Sequence, residues 1–288
     1  MRVTNKMLSD TVLNGLLNNT EHLQQQLVSM ASQKRINRPS DDPAGMSRVL
    51  SYRTDLSSIE QYERNINQGA SWLTHTESVL TEAYDLLVTA QEVAISQANA
   101  TANQDTRLAM AKEIENIYEH MLSLSNTRLG GRYIFSGYRT SQPAFNPDGT
   151  YNGDTNVISV ATGQNTTVKI SLTGQDVFLT TDVFIVLDNL KLALENDDVA
   201  GITGQLAGLQ SSMDHVNSKI AEIGARANQV ETTENIFSNL KLNIREMLSK
   251  TEDLDIIQAA MDLTAQQNAY QASLLASQEI MRMSLANF

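Results

Sequence analysis

Apolar residues recur at intervals of three and four near the start of the chain. Between residues 9 and 34 the apolar seam consists of Leu13, Leu16, Thr20, Leu23, Leu27 and Met30. This heptad-like spacing predicts an amphipathic helix suited to pairing with other helices. The residues that follow include two prolines, which stop the helix. Asp42 and Pro43 predict the N-cap and the first residue of a second helix.

Long stretches without helix breakers predict that the later helices are long. No Gly or Pro occurs between Gly69 and Gly130, or after Gly224. The predicted helices are 43–98, one that follows a capping box at 101–104 and ends at Gly130 and Gly131, and 202–283. A helix of about 57 residues is about 85 Å long, whereas a compact sphere of this chain would measure about 50 Å. The helices must therefore run out and back side by side.

The middle of the chain has a different pattern. Between residues 132 and 181, Pro, Gly, Asn, Asp and Thr become frequent, and Asn152-Gly153 is typical of a hairpin turn. Two short alternating stretches, 157–160 and 168–172, predict strands, and 182–195 predicts a short amphipathic helix.

The predicted fold class is mainly α. It is an elongated antiparallel helical bundle or coiled coil, formed by the N- and C-terminal segments, with a small β-rich inserted domain. The predicted domains are terminal assembly helices at 1–40 and 255–288, a rod-like bundle at 41–131 and 202–254, and a β-rich insert with a short helix at 132–201.

Composition excludes several kinds of chemistry. The chain has 33 acidic and 21 basic residues, a net charge of −12 and no Cys. An acidic chain is a poor partner for nucleic acid, and the absence of Cys excludes disulfides and thiol catalysis. No nucleotide-binding, metal-binding or nucleophile motif occurs, so we expect no enzyme activity, no metal and no cofactor.

The start of the chain has no cleavable signal pattern, and no apolar run is long enough to span a membrane. A cytoplasmic location and export without a cleaved signal both remain open at this point. The terminal seams are narrow apolar stripes with no large domain nearby to cover them, which favours self-assembly through helices of other chains.

Three segments resemble a known family. Residues 35–45 resemble the sequence after the first helix of the bacterial flagellin superfamily, in the form found in hook-associated proteins. Residues 131–137 resemble the turn into the variable domain of the hook-associated protein 3 type, and residues 269–288 resemble its C-terminal helix. The motif residues are Arg38, Pro39, Asp41, Asp42, Pro43, Gly131, Arg132, Phe135 and Gly137.

The resemblance implies a structural subunit at the junction between flagellar hook and filament, exported unfolded by the flagellar type III route. It implies that Leu13, Leu16, Leu23, Leu27 and Met30 pack against Leu254, Met261 and Leu275 and against neighbouring subunits. The implied partners are further copies in a ring, the adjacent hook-associated protein, flagellin, and a cytoplasmic export chaperone on the C-terminal helix. A filament subunit and a cytoplasmic coiled-coil scaffold are the alternatives.

Overall fold

The computed structural model describes residues 5–99 and 103–286, and it confirms the mainly α fold class. In these residues the α-helices are α1 Asn5–Ser32, α2 Pro43–Gln97, α3 Gln104–Ser125, α4 Val183–Glu195, α5 Val199–Glu252 and α6 Ile256–Ala286. A single turn of π-helix, Gln175–Leu179, precedes α4.

The strands form two small antiparallel sheets. β1 Arg128–Leu129 pairs with β2 Arg132–Tyr133. β3 Ser159–Ala161 pairs with β4 Thr167–Lys169. The second pair overlaps the two predicted stretches, 157–160 and 168–172, although each strand is only three residues long.

The chain divides into two compact units. The terminal unit consists of Met1–Ser58 and Leu240–Phe288, and the central unit consists of Ile59–Asn239.

In the core of the central unit, buried apolar residues recur every seven positions along the two long helices. On α2 the fully buried residues Ile66, Leu73, Leu80 and Leu87 recur every seven positions, as the spacing predicts. On α5 the same interval links Ile202, Leu209, Val216, Ile223 and Val230. These aliphatic seams account for a core with few aromatic residues.

The aromatic side chains are concentrated in one cluster of the central unit. Phe145 contacts Phe178 and Phe184 at centroid distances of 5.7 and 5.1 Å, and Phe135 meets Phe178 edge to face at 5.3 Å. Tyr151 packs beside Phe145, and burial raises the pKa of its hydroxyl to about 12. Four of the six Phe residues thus anchor the insert to the helices.

Three predictions of local structure were wrong. They concern the end of the third helix, the tight turn in the insert and the continuity of the last helical region. The third helix ends at Ser125, and Gly130 and Gly131 form the turn of the β1–β2 hairpin, with φ of +57° and +81°. That turn needs positive φ at both central residues, which Gly adopts without steric cost. In the insert, Asp148-Gly149 makes the tight turn, because Gly149 has a positive φ of +77° and Gly153 does not.

The last helical region is also interrupted. α5 ends at Glu252 and α6 begins at Ile256, so the single helix predicted over 202–283 is two helices. Asp255 caps α6 by accepting hydrogen bonds from the amides of Ile257 and Gln258. At the start of α3, Asn103 is the N-cap, while Thr101 and Ala102 of the predicted capping box lie outside the described residues.

Candidate functional site

The two terminal helices pair antiparallel within the terminal unit. α1 and α6 lie in contact along their length, and the main chains of Lys34 and Asp253 form an antiparallel bridge at one end of the pair. Partly buried residues recur at heptad spacing on α1, at Val12, Leu16, Asn19, Leu23, Gln26 and Met30. On α6 the buried Ala259 is followed at the same spacing by the partly buried Leu263, Gln266, Tyr270, Ser273, Ser277 and Ile280.

Polar side chains interrupt this seam at its middle. The amide of Asn19 donates to the Ser273 hydroxyl at 2.6 Å, and the amide of Gln266 donates to the Asn19 carbonyl at 3.2 Å. A polar residue in a coiled-coil seam favours one register at the expense of stability. The pair is therefore held by fewer apolar contacts than an all-aliphatic seam would supply.

The residues predicted as one packing seam lie on two different faces. Leu16, Leu23, Met30 and Leu254 are partly buried. Leu13, Leu27, Met261 and Leu275 are 47–67% exposed. Their role in packing between subunits stays a prediction.

The exposed residues belong to a second apolar stripe. On α1 this outer stripe includes Leu13, Leu17, Leu27 and Val28, and on α6 it includes Ile257, Met261, Leu275 and Met281. An apolar helix face of this kind, rimmed by polar residues, is typical of a surface that binds other helices.

The first family motif forms the loop between α1 and α2. The Asp41 carboxylate accepts hydrogen bonds from the amides of Asn37 and Arg38, at 3.0 and 2.8 Å. The Asp42 carboxylate accepts one from the amide of Gly45 at 2.8 Å, and α2 begins at Pro43. The predicted N-cap and first helical residue are confirmed in this structure.

These contacts stabilise the ionised carboxylates. The pKa of Asp41 lies below its usual value of 3.8, chiefly because the Arg38 and Asn37 amides donate to it. The pKa of Asp42 is lowered mainly by the Gly45 amide, with a smaller contribution from Arg35. Pro39 and the side chain of Arg38 are exposed at the tip of the loop.

Gly45 lets the loop close onto α2. A Cβ atom at this position would lie 2.3 Å from Asp42 Oδ2 and 2.6 Å from Cδ1 of Ile36, which is buried. The motif thus encodes a compact turn in which Asp41 binds amides of the loop and Asp42 binds an amide of the first turn of α2.

The loop is fastened to the break between α5 and α6. Glu252, whose side chain is 4% exposed, accepts a hydrogen bond from Lys34 at 2.6 Å and forms an ion pair with Arg53. The Arg35 amide donates to the Glu252 carbonyl at 2.7 Å, and the Leu254 amide donates to the Gln33 carbonyl at 3.0 Å. Both interruptions in the terminal helices therefore lie side by side.

The second family motif lies in the central unit, where its members have different roles. Phe135 is fully buried in the aromatic cluster, while Arg132 is exposed at the β1–β2 hairpin. Gly137 has φ +67°, and a Cβ there would lie 2.2 Å from Asp154 Oδ1. Asp154 accepts hydrogen bonds from the amides of Tyr138 and Asn156 and so fixes the segment after the motif.

Sequence reasoning missed Glu252 and Arg53, the two side chains that join the motif loop to α5. Heptad analysis follows apolar positions and assigns no role to a lone acid. The available signal was the acidic sequence at 252–255, which contains no Gly or Pro but interrupts the apolar spacing.

The described residues hold no group of three or more His, Asp or Glu side chains placed to bind a metal ion. Over the same part of the chain, none of the helices is long and apolar enough to cross a bilayer.

Comparison with protein families first defines the class. Residues 3–140 match the bacterial flagellin N-terminal helical region. This stretch contains α1, the motif loop, α2, α3 and the hairpin, so these elements are similar to the N-terminal helical region of bacterial flagellins.

Individual relatives then narrow the resemblance. The chain is 26% identical to flagellar hook-associated protein 3 of Salmonella typhimurium over 312 residues, 99% of this chain and 98% of the relative. It is 27% identical to flagellin of Bacillus subtilis over 296 residues, 95% of this chain and 94% of that one. The crystal structure of Bacillus cereus FlgL superposes with a TM-score of 0.62 and 25% identity, over 69% of this chain and 99% of that chain. The resemblance to hook-associated protein 3 of the flagellin superfamily is thereby confirmed.

Proposed function

We propose that the protein is a structural subunit of the bacterial flagellum that joins the hook to the filament. It assembles into the axial tube through the helices at its two ends, residues 1–40 and 255–288. The observation that carries the proposal is the pairing of α1 with α6, which leaves the outer stripe exposed on a chain similar to hook-associated protein 3.

Apolar burial supplies the driving force for assembly. Each large aliphatic side chain that becomes fully buried contributes about 1.5–3 kcal/mol. The outer stripe offers such side chains on both helices, including Leu13, Leu27, Met261 and Leu275. These residues pack against neighbouring subunits in the assembled ring, while Leu16, Leu23 and Met30 keep α1 on α6.

The proposed partners follow from this location. They are other copies of the chain, the adjacent hook-associated protein on one side and flagellin on the other. Before assembly the protein passes through the flagellar type III channel, and a cytoplasmic chaperone covers the apolar residues of the C-terminal helix. The proposed final location is extracellular, at the hook–filament junction, and the role is structural rather than enzymatic.

A filament subunit is the second candidate, because flagellin of Bacillus subtilis also matches nearly the whole chain. The Arg-Pro-Ser-Asp-Asp-Pro-Ala form of the first motif, residues 38–44, favours the junction. The two functions predict different amounts of protein per flagellum.

Deletion of the encoding gene tests the proposal. We expect cells that secrete flagellin into the medium and carry hooks without filaments, with filaments restored by the intact gene. Antibody labelling of isolated flagella should mark one band at the hook end. Label along the whole filament would favour the filament subunit, and filaments that remain attached in the deletion strain would refute the junction role.

A further inference from the structure

The central unit carries an open groove that the assembly of the terminal helices does not use. The groove has a volume of about 1150 Å³ and lies between α3, α4 and the Asp148-Gly149 turn. Its floor is apolar and includes Ile114, Leu122, Phe184 and Leu187. Ile185 lies on its rim with 57% of its surface exposed, although it follows the buried Phe184.

The rim of the groove is acidic. Five carboxylates line it, at Glu115, Glu119, Asp148, Asp182 and Asp188. The one lining base is Lys191, and its ammonium group is already shared between Glu115 at 3.8 Å and Asp188 at 3.5 Å. Burial, Asp188 and Asp148 raise the pKa of the Tyr118 hydroxyl inside the groove. The groove therefore favours a positively charged occupant.

The size and form of the groove favour a protein segment. Pockets for small molecules enclose roughly 300–1,000 Å³ and bury most of their ligand. This groove is larger, and its carboxylates belong to exposed residues at the rim. An apolar floor with a charged rim is typical of protein interfaces.

The same chain presents a segment of opposite charge, against which Asp154 lies at Tyr138 and Arg139. The basic arm, residues 128–139, contains three Arg and no acid, and the whole stretch 120–147 also lacks Asp and Glu. Arg132 and Arg139 are exposed, as is Tyr138 at 63%. Arg and Tyr are residues enriched at the centres of protein interfaces.

The hairpin at the start of the basic arm holds the charge of Arg128 in place. Arg128 stacks on the Tyr133 ring, with its guanidinium carbon 4.2 Å from the ring centroid. Gly130 and Gly131 form the tight turn between the two strands. None of the residues of the basic arm lines the groove of its own chain.

We propose that the acidic groove binds the basic arm of a second copy of the chain. The proposed contact is head to tail, because a ring or a helical tube requires a contact that continues from copy to copy and each copy carries both surfaces. The inference rests on the proposed function, because it names a lateral contact of the same assembly. It assigns Arg132 of the second family motif to subunit association.

Cysteine cross-linking tests the contact in the assembled flagellum. The chain has no Cys of its own, so Arg132→Cys with Ile185→Cys introduces one defined pair. In a strain that lacks the native gene, we expect oxidised flagella to give a ladder of dimers, trimers and higher species. The control pair is Arg132→Cys with Ser78→Cys, an exposed α2 position outside the groove, and it should give no ladder.

Two outcomes overturn the proposal while the junction function stands. Filaments that attach normally without a ladder would show that the basic arm does not reach the groove. Dimers without higher species would indicate a symmetric contact instead of a head-to-tail one. Filaments that stay attached in the deletion strain would instead remove the proposed function itself.

A charge exchange provides a second measurement if the cysteine variants fail to assemble. We expect Glu119→Arg or Arg132→Glu alone to increase filament shedding about tenfold, since like charges at an interface weaken association. The double variant should restore attachment. The matched controls are Glu92→Lys and Arg64→Glu, exposed positions outside the groove and the arm, and they should leave shedding unchanged. A double variant that sheds as much as the two single variants combined would refute the pairing.

Discussion

Arg53 on α2 forms an ion pair with Glu252 at the end of α5, although 199 positions separate them in the sequence. Lys34 approaches the same carboxylate from the end of α1. One buried acid thus connects three helices at the level where both terminal helices are interrupted. Neither the first family motif nor the heptad pattern contains this residue.

Removal of the Glu252 charge should loosen this connection. We expect Glu252→Gln to destabilise the terminal unit by about 1.5–3 kcal/mol, the range for hydrogen bonds to charged groups. The amides of Arg35 and Leu254, which donate across the two breaks, should exchange with deuterium faster. Glu246→Gln is the matched control, because Glu246 and Lys250 form an exposed pair on α5 and such pairs contribute little. Equal exchange in the two variants would contradict the assignment.

Replacement of Asn19 by Leu should have the opposite effect. An apolar side chain at this seam position strengthens the contact between α1 and α6. No donor or acceptor is left alone, since Ser273 still donates to the Ala269 carbonyl and Gln266 still reaches the main-chain oxygen at position 19. We expect slower amide exchange in α1.

Asn18→Leu is the control for that experiment, because Asn18 is exposed on the neighbouring face of the helix. If both variants slow amide exchange in α1 equally, the polar residues of the seam do not weaken the pairing of α1 with α6.

Gly137 should tolerate no side chain. Its φ of +67° costs an L-residue about 1–2 kcal/mol, and the Cβ of Gly137→Ala would collide with Asp154. We therefore expect the free energy of unfolding of the central unit to fall by at least this amount in urea titrations.

Gly204→Ala is the matched control in α5, where a Cβ meets nothing within 4 Å. It should stabilise the helix by about 0.5–1 kcal/mol. A Gly137→Ala variant as stable as the parent protein would show that the turn can rearrange.

The contribution of the motif loop to the stability of the fold should decrease in acid. Because the pKa of Asp41 is lower in the folded protein than its ordinary 3.8, its stabilising effect is complete above that value and is lost as the pH falls through the folded pKa. Asp41→Asn lacks this titration. We expect the stability difference between parent and variant, measured by urea unfolding at several pH values, to be largest near neutral pH and to shrink below about pH 4. If the stability difference between parent and variant grows as the pH falls, the predicted direction of the pH dependence is wrong.

Sequence reasoning found the helices but misplaced two of the points where they end. Pro43 after Asp42 marked the start of α2, because both residues act locally. Gly130 and Gly131 were assigned to a helix end, yet a Gly pair serves equally as a hairpin turn, and the choice depends on residues far along the chain. The break after Glu252 contains no Gly or Pro, and it is stabilised by Lys34 and Arg53.

The predicted seam illustrates a second limit. Leu13 and Leu16 both fit a helix with a wide apolar face, and periodicity does not tell which of them meets α6. The structure buries Leu16 in part and exposes Leu13, because the true seam also includes Asn19 and Gln26. A search for apolar residues passes over polar seam positions, so it merged two adjacent stripes into one.

The paired breaks at 33–42 and 253–255 have a mechanical consequence. At this level neither of the two segments has a continuous ladder of helical hydrogen bonds. A bend here therefore stretches no helical hydrogen bond. The links that cross the gap are the main-chain bonds of Arg35 and Leu254 and the ion pairs of Glu252. The helices on either side of this joint can thus change their relative direction while each of them stays straight.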